Sequence, residues 1–400
     1  MPVNSMSKEQ AYQLIKNIHD QATGLTALTP IDATSFVSVA NATMQAGTEA
    51  ALSAISQVLT RTIIAVRPYD EKFKGLQMTA DQWGGIIRKI NFADQDAEAD
   101  PSYLLSASGA QDAVTNDESV DQYKVKKPKV LETRYVGSDV WMGSYTIYRE
   151  QLKTAFENEA NFGSFMAGLM THFMNERTQW LEGVKRAILA NGIASAISIG
   201  RTEAVVHLLT EYNAATGLTL TAQTVMQPAN FKAFNEWAFA RVQEVSRLMT
   251  ERSGLFQQQI TGYNINRHTP VADQRVYFNA KFLEQFSAMA LADTYHDNFL
   301  RYADVEPVSY WQAIKSPMSI NYKPTYVDAT GAIKASVTAV TSDVVVGVIF
   351  DRDAMGYNIY NQSIDASPFN AKGQYYNLFS HADVQMQSDM TEKVAVFLLD

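Results

Sequence analysis

Between about Tyr148 and Asn191 apolar residues recur at intervals of three and four: Leu152, Ala155, Phe156, Phe162, Phe165, Met166, Leu169, Phe173, Trp180, Leu181, Val184 and Ile188. That spacing puts them on one face of an α-helix, and it is sustained far beyond an ordinary globular helix. Asn191-Gly192 predicts the C-terminal stop, because glycine enters the left-handed conformation without a Cβ clash. At its usual rise per residue such a helix spans about 60 Å, with Gly163, Gly168 and Gly183 as places where it can bend. A helix this long with one apolar stripe is a beam, and other elements must lie along it.

Before it, Ser7-Lys8-Glu9-Gln10 is a capping-box pattern that Ala11, Leu14, Ile15 and Ile18 continue as a short helix. Gly24 to Thr34, with Pro30, is a linker, and a second helix is predicted from Thr48 to Thr62. These pieces are each too short to hold a core alone, so residues 1–62 form an arm, and 63–82 lead on from it. Trp83 to Ile90 reads as a strand leading outward. From Asn91 to Tyr123 there is no Lys or Arg, while Asp94, Asp96, Glu98, Asp100, Asp112, Asp117, Glu118 and Asp121 are acidic. Lys124, Lys126, Lys127, Lys129 and Arg134 then bring the chain back into a β-rich run to Tyr148. Residues 83–147 are therefore a long hairpin-like excursion, too polar to bury a core of its own. Charge alone leaves two readings open: a strip that docks on another surface, or a solvated acidic loop.

After the long helix (148–203 with its surroundings), Ala204 to Leu209 is strand-like and Asn213 to Gly217 a turn. Asn230 to Thr250 is amphipathic and helical, with Phe231, Phe234, Trp237, Ala238, Arg241 and Val245 in register. Gln274 to Phe278 is a strand, a helix follows from Ala280 to about Ala292, and Asp304 to Lys323 is strand and loop. Val344 to Phe350 is a continuous apolar run, as in a strand buried on both faces. Asp351 to Gly356 turns it back into Tyr357 to Tyr360, and Val394 to Leu399 closes the chain as a strand of the same sheet. The divisions this suggests are an α/β region at 204–324 and a returning sheet at 325–400.

Composition narrows the function. An apolar fraction of 46% fits a folded chain, and its length suffices for two or three cores. The absence of cysteine excludes disulfides, thiolate metal sites and a cysteine nucleophile, and a cytoplasmic site of folding is the simple reading. A formal net charge of −9 argues against a specific nucleic-acid grip, yet allows a surface that lies beside DNA without sticking to it. No apolar run is long enough to span a membrane, and the N-terminus lacks the basic and apolar blocks of a secretory signal.

Chemistry is sparse. The chain lacks a phosphate-cradling G-x-x-x-x-G-K-[ST] loop, an H-E-x-x-H pair and a G-x-S-x-G elbow. His172 and Glu176 lie one helical turn apart and offer two metal ligands without a third, which reads better as a surface pair. Asp351-Arg352-Asp353 resembles an acidic pair for a divalent ion, but sits in a turn where Asp is common for backbone reasons. Tyr295-His296-Asp297 has no nucleophile beside it, and Tyr375, Tyr376 and Phe379 read as core or interface rather than a sugar platform. No catalytic, metal or cofactor residue is assigned.

Short stretches in order carry a resemblance. They are Ser35-Phe36-Val37-Ser38-Val39-Ala40-Asn41 in the arm and Lys72-Phe73-Lys74-Gly75 before the excursion. Gln151-Leu152-Lys153-Thr154-Ala155-Phe156 and Asn161-Phe162-Gly163-Ser164-Phe165 follow at the start of the long helix, then Phe350-Asp351-Arg352-Asp353 and the aromatic-rich last segment. Their order resembles the major capsid protein of tailed bacteriophages, and most closely the coat proteins of small short-tailed phages with protein-primed genomes. The resemblance implies an α+β capsid fold: N-terminal arm, extended β loop, long spine helix, peripheral sheet and axial α/β domain. It implies a structural protein, not an enzyme, forming pentamers and hexamers that tile an icosahedral shell around double-stranded DNA. Scaffolding and portal proteins are the expected partners, DNA is contacted non-specifically, and assembly is expected in the host cytoplasm. Some members append an immunoglobulin-like module, and none is expected here after Asp400. The loop is expected over a neighbouring subunit, with Asp94, Asp96, Glu98, Asp100, Lys124, Lys126, Lys127, Lys129 and Arg134 as contact candidates. An encapsulin-like compartment shell is the nearest alternative, and an α/β hydrolase or a carbohydrate-binding surface protein come from other classes.

Overall fold

The long helix ends later than its apolar spacing predicts, and the reason lies in what packs on it. The computed structural model describes residues 8–24, 30–45, 72–78, 86–95, 104–105, 111–112, 123, 125–136, 139–151, 159–201, 203–283 and 305–400. In chain order the elements are helices α1 (Lys8–Thr23) and α2 (Ala33–Gln45), then strands β1 (Ile86–Phe92), β2 (Leu104–Leu105), β3 (Gln111–Asp112), β4 (Val130–Val136) and β5 (Asp139–Tyr148). The long helix is α3 (Glu159–Ile199), followed by β6 (Val205–His207), α4 (Leu208–Thr216), α5 (Ala222–Val225), α6 (Pro228–Thr250) and β7 (Gln274–Asn279). The rest is β8 (Val305–Val308), β9 (Ile320–Tyr322), β10 (Thr325–Val327), β11 (Ile333–Ala335), β12 (Val340–Ser342), β13 (Val345–Asp351), β14 (Met355–Ala366), β15 (Tyr375–Ser388) and β16 (Val394–Leu398).

The expected stop at Asn191-Gly192 is corrected. Helix α3 runs through both residues and ends at Gly200, whose φ of 67° is left-handed and whose N–H reaches back to the Ala196 carbonyl at 3.2 Å. Gly192 is there for close approach: a Cβ at that position would stand 1.9 Å from Met355 Sδ. Asn191 does not cap; its amide side chain accepts from Thr325 N at 2.8 Å and donates to the Thr325 carbonyl at 3.1 Å, as a strand backbone would. The apolar stripe itself holds, with Phe162, Leu169, Phe173, Leu181, Val184 and Ile188 buried. Leu152, Ala155 and Phe156 lie outside the described residues.

The chain forms two compact units, and elements cross between them along the sequence. The first takes residues 1–85, 136–189 and 356–387. Its sheet has the order β14-β15-β5, with β5 and β15 antiparallel from Tyr148 opposite Tyr375 to Asp139 opposite Val384. Burial alternates along β5, so that Trp141 and Tyr145 face α3, where Trp141 stacks on Trp180 at 5.8 Å and Tyr145 meets Phe173 edge-on. Helices α1 and α2 complete this core through Ala11, Leu14, Ile15, Ile18, Phe36 and Ala40. The arm helices are thus built into their own chain, each supplying what the other lacks. Helix α2, which follows the predicted linker where no element was assigned, starts on a reciprocal cap: Ser35 N donates to Asp32 Oδ1 at 2.7 Å and Asp32 N to Ser35 Oγ at 3.1 Å. The predicted helix from Thr48 to Thr62 lies outside the described residues.

The second unit takes residues 86–135, 190–355 and 388–400. Its five-stranded sheet has the order β6-β16-β13-β7-β8, antiparallel at the centre and parallel at both edges. Every position of β13 and β16 is buried, as their unbroken apolar runs predict. Helix α6 presents Phe231, Phe234, Ala238, Phe239, Val242, Val245 and Met249 to the same core. The helix predicted from Ala280 to Ala292 lies mostly outside the described residues. Strands β1 and β4 pair as a two-stranded ribbon belonging to this unit, and β2 pairs with β3 beyond it.

Candidate functional site

The excursion between Ile86 and Val136 is the element whose charge pattern singled it out, and it carries charge inward and apolar side chains outward. On β1, Arg88, Ile90 and Phe92 point to solvent, with Ile90 53% and Phe92 64% exposed, while Lys89 and Asn91 turn inward. On β4, Val130, Glu132 and Arg134 are exposed and alternate with half-buried Leu131, Thr133 and Tyr135. A strand alternates its side chains between two faces, so the ribbon has one face against its own unit, where Lys89 and Asn91 join Leu131, Thr133 and Tyr135, and one outward face that mixes charged and apolar residues.

The inward face ends on charge. Lys89 Nζ donates to Asp389 Oδ2 at 2.7 Å and also to Glu392 Oε1. Arg267 Nη1 stands 3.2 Å from the same Glu392 oxygen, and its Nη2 donates to Asn91 Oδ1 at 2.9 Å. Asp389 further accepts from Thr391 Oγ1 at 2.7 Å and Thr391 N at 2.9 Å. Two cations and two carboxylates, all from this one unit, thus meet at the foot of the ribbon. Burial pushes the Asp389 carboxyl up, but Lys89 and the Thr391 donors outweigh it and hold it below the usual range. Glu392 shifts the other way, because burial and the neighbouring Asp389 charge prevail over Lys89 and Arg267. Burial lowers the Lys89 ammonium, and the two carboxylates more than reverse that.

Tyr135 faces this cluster, and burial, then the Asp389 charge, push its hydroxyl far above the usual phenol value of 10.0. Such a group keeps its proton in the folded state while the unfolded chain loses it. Stability therefore falls as pH rises above that value, by about 1.4 kcal/mol per unit for one group. The raised Lys89 acts in the same direction: its contribution is complete below 10.5 and is lost as pH rises through its folded value. Tyr135→Phe is expected to remove the tyrosine part, flattening the alkaline decline by about 1 kcal/mol between pH 10 and 11 in denaturant unfolding. Equal slopes in the two proteins would refute this account.

The contact candidates divide. Asp94 accepts from Arg252 and, at 2.9 Å, from Asn266 N, so it ties the ribbon to its own unit. Lys129 Nζ donates to the Gly262 carbonyl at 3.0 Å. Arg134 shares Glu132 with Arg88, each at 2.7 Å, and these hydrogen bonds, Arg88 first, hold that exposed carboxyl down at about 2. Lys126 and Lys127 are exposed. Asp96, Glu98, Asp100 and Lys124 lie outside the described residues. Lys89, Arg267, Asp389 and Glu392 carried no signal in the sequence, being separated by up to 303 positions. The one cue was the period: Lys89 and Asn91 alternate with apolar Ile90 and Phe92 on a strand.

The weighed alternatives resolve into structural roles. His172 and Glu176 form an exposed pair at 3.2 Å along the helix. Asp351 closes its turn, accepting from Thr269 Oγ1 at 2.7 Å and Asp353 N at 2.9 Å, while Arg352 reaches Asp273 at 2.9 Å. Among the described residues no three potential ligands converge on a metal position. Tyr376 is buried against Phe369, with ring centroids 4.8 Å apart, and belongs to the core. Tyr295-His296-Asp297 lies outside the described residues. No helix among the described residues is long and apolar enough to cross a membrane.

Comparison with known proteins agrees with this picture. The sequence profile of the Phi29-like phage major capsid protein family matches residues 12–398. The capsid structure of Staphylococcus phage Andhra is similar in fold, with a TM-score of 0.52 at 11% identity over 84% of this chain and 86% of that one. A chain in the structure of head fiber and inner core protein gp22 of native bacteriophage P68 matches with a TM-score of 0.53 at 10% identity, over 84% and 87%. No curated protein sequence matches the chain.

Proposed function

Because the chain belongs to the Phi29-like phage major capsid protein family, we propose that its copies join as pentamers and hexamers into an icosahedral shell around double-stranded DNA. Membership of the family makes it a structural protein of the phage shell, built from many copies, and not an enzyme. Neither the encapsulin-like nor the hydrolase reading is supported. Scaffolding and portal proteins complete the proposed set of partners, and assembly takes place in the host cytoplasm. A formal charge of −9 suits a wall along which packaged DNA slides.

The observation that carries the proposal is the outward face of the ribbon. Ile90, Phe92 and Val130 stand exposed on an element anchored through Lys89 and Asn91, and such outward apolar side chains suit a contact with another subunit. In the shell, residues 83–147 lie over a neighbouring subunit, residues 204–324 point to the five- and six-fold axes, and the apolar face becomes buried. The arm helices 8–45 remain with their own subunit, whose core they complete. Light scattering and negative-stain electron microscopy of the purified protein test the whole reading. Closed shells, or rings of five and six, are expected, and a protein that stays monomeric when its scaffold is supplied would overturn it.

A second test separates the strips. Lys126→Glu with Lys127→Glu reverses the two exposed cations and spares Lys129, which holds Gly262. Shell yield is expected to fall about tenfold at physiological salt, while subunit stability stays within about 0.5 kcal/mol. Normal shells from this variant would remove the electrostatic docking idea and leave the apolar face as the contact.

A further inference from the structure

We propose that Lys89, Arg267, Asp389 and Glu392 form a positioning latch that fixes the ribbon on its own subunit before a neighbour is met. The inference rests on the ribbon being an inter-subunit element, and goes beyond it by naming what sets the ribbon's direction. The first argument is the kind of attachment. An apolar face can slide over another, because burial is not directional. Among the residues of β1 whose burial is described, Lys89 and Asn91 turn inward, and the contacts that tie them to Asp389 and Arg267 have a fixed donor and acceptor. A ribbon held this way has one bearing relative to the sheet.

The second argument is energetic. Buried ion clusters give little net stability, because the cost of removing charge from water roughly cancels the attraction. Their best-attested use is to specify one arrangement over others. The cluster is formally neutral, with two cations against two carboxylates, and Asp389 and Glu392 have only 1% and 8% of their side chains exposed. It draws on β1, the loop holding Arg267 and the segment between β15 and β16. That last segment leads directly into a central strand of the core sheet, so the ribbon is referred to the most buried part of its unit. Outside the cluster, Asp94 with Arg252 and Lys129 with Gly262 form a second line of attachment near solvent. These rim contacts are weaker individually, and they hold a ribbon whose angle is already set.

A third argument concerns assembly. A ribbon that met its neighbour in many orientations would pay for ordering at the moment of contact, and one already fixed would not. The latch therefore acts on the rate and the yield of shells rather than on the stability of the subunit.

Amide hydrogen exchange on the unassembled full chain tests this. In Lys89→Met, which keeps the stem and removes the cation, amides of 86–95 and 125–136 are expected to exchange about tenfold faster, with those of β13 and β16 unchanged. Lys89→Arg, which keeps the charge, should restore most of the protection. A variant combining Lys89→Met with Asp389→Asn leaves Arg267 paired with Glu392 and no uncompensated charge, so it should fold, yet its ribbon should still be loose. Unchanged ribbon exchange in both loosening variants would overturn the latch. So would equal loosening of ribbon and sheet, which would make the cluster a plain part of the fold. If the ribbon loosens while shells form at normal yield, the latch stands and the ribbon's role between subunits falls.

Discussion

Replacing Phe397 with alanine is expected to lower the unfolding free energy of the unassembled chain by about 3–5 kcal/mol, the usual cost of deleting a buried aromatic ring. Phe397 is fully buried on β16, which has a strand on each side of it. Its ring lies 5.7 Å from that of Phe278 on β7, and Phe278 in turn stacks on Phe239 of α6 at 6.4 Å. Removing the first ring empties the sheet end of a chain of aromatic contacts that runs from sheet to helix. The flanking strands are hydrogen-bonded through their backbones and cannot collapse into the gap, so most of the cavity persists. Denaturant unfolding measures the effect. A loss below about 1 kcal/mol would mean that α6 follows the truncated side chain inward.

What the sequence made legible follows from which signals are periodic. The stripe on α3, the face of α6 and the unbroken runs of β13 and β16 all came through, because burial imposes one spacing on a helix and another on a strand. The change from acidic to basic residues marked the excursion, and β1 and β4 form the ribbon it implied. Signals that depend on partners far along the chain were misread or silent. Asn191-Gly192 has the composition of a helix end, but the glycine makes room for Met355 and the asparagine binds Thr325. Lys185 reads as a solvated helix residue, yet it is fully buried, donating to the Lys72 carbonyl at 2.8 Å with Tyr357 beneath it. The latch residues look like ordinary surface charges until the fold places Lys89 beside Asp389. A charge reveals its burial only through its partner, and the partner is not a local property.

The same limit applies to a glycine whose role is invisible in the local sequence. Gly347 interrupts the run from Val344 to Phe350, and a valine there would raise strand propensity by up to about 1 kcal/mol. The structure reverses that expectation. Gly347 stands opposite Phe278 on one side and Phe397 on the other. A Cβ at Gly347 would lie 2.5 Å from Cδ1 of Phe278, a ring that is itself buried and held by its stacking partners. Gly347→Val is therefore expected to destabilise by about 3 kcal/mol, at the upper end for overpacking, because neither ring has a free side to move into. The decisive comparison is with Phe397→Ala. Each change alone spoils the fit from the opposite direction, one by adding volume and one by removing it. Combined, the cavity gives the Phe278 ring somewhere to go, and the pair should be less damaging than the separate losses predict, by about 1 kcal/mol or more. Strict additivity would show that the glycine and the two rings do not share a packing constraint, and that Gly347 is there for its backbone alone.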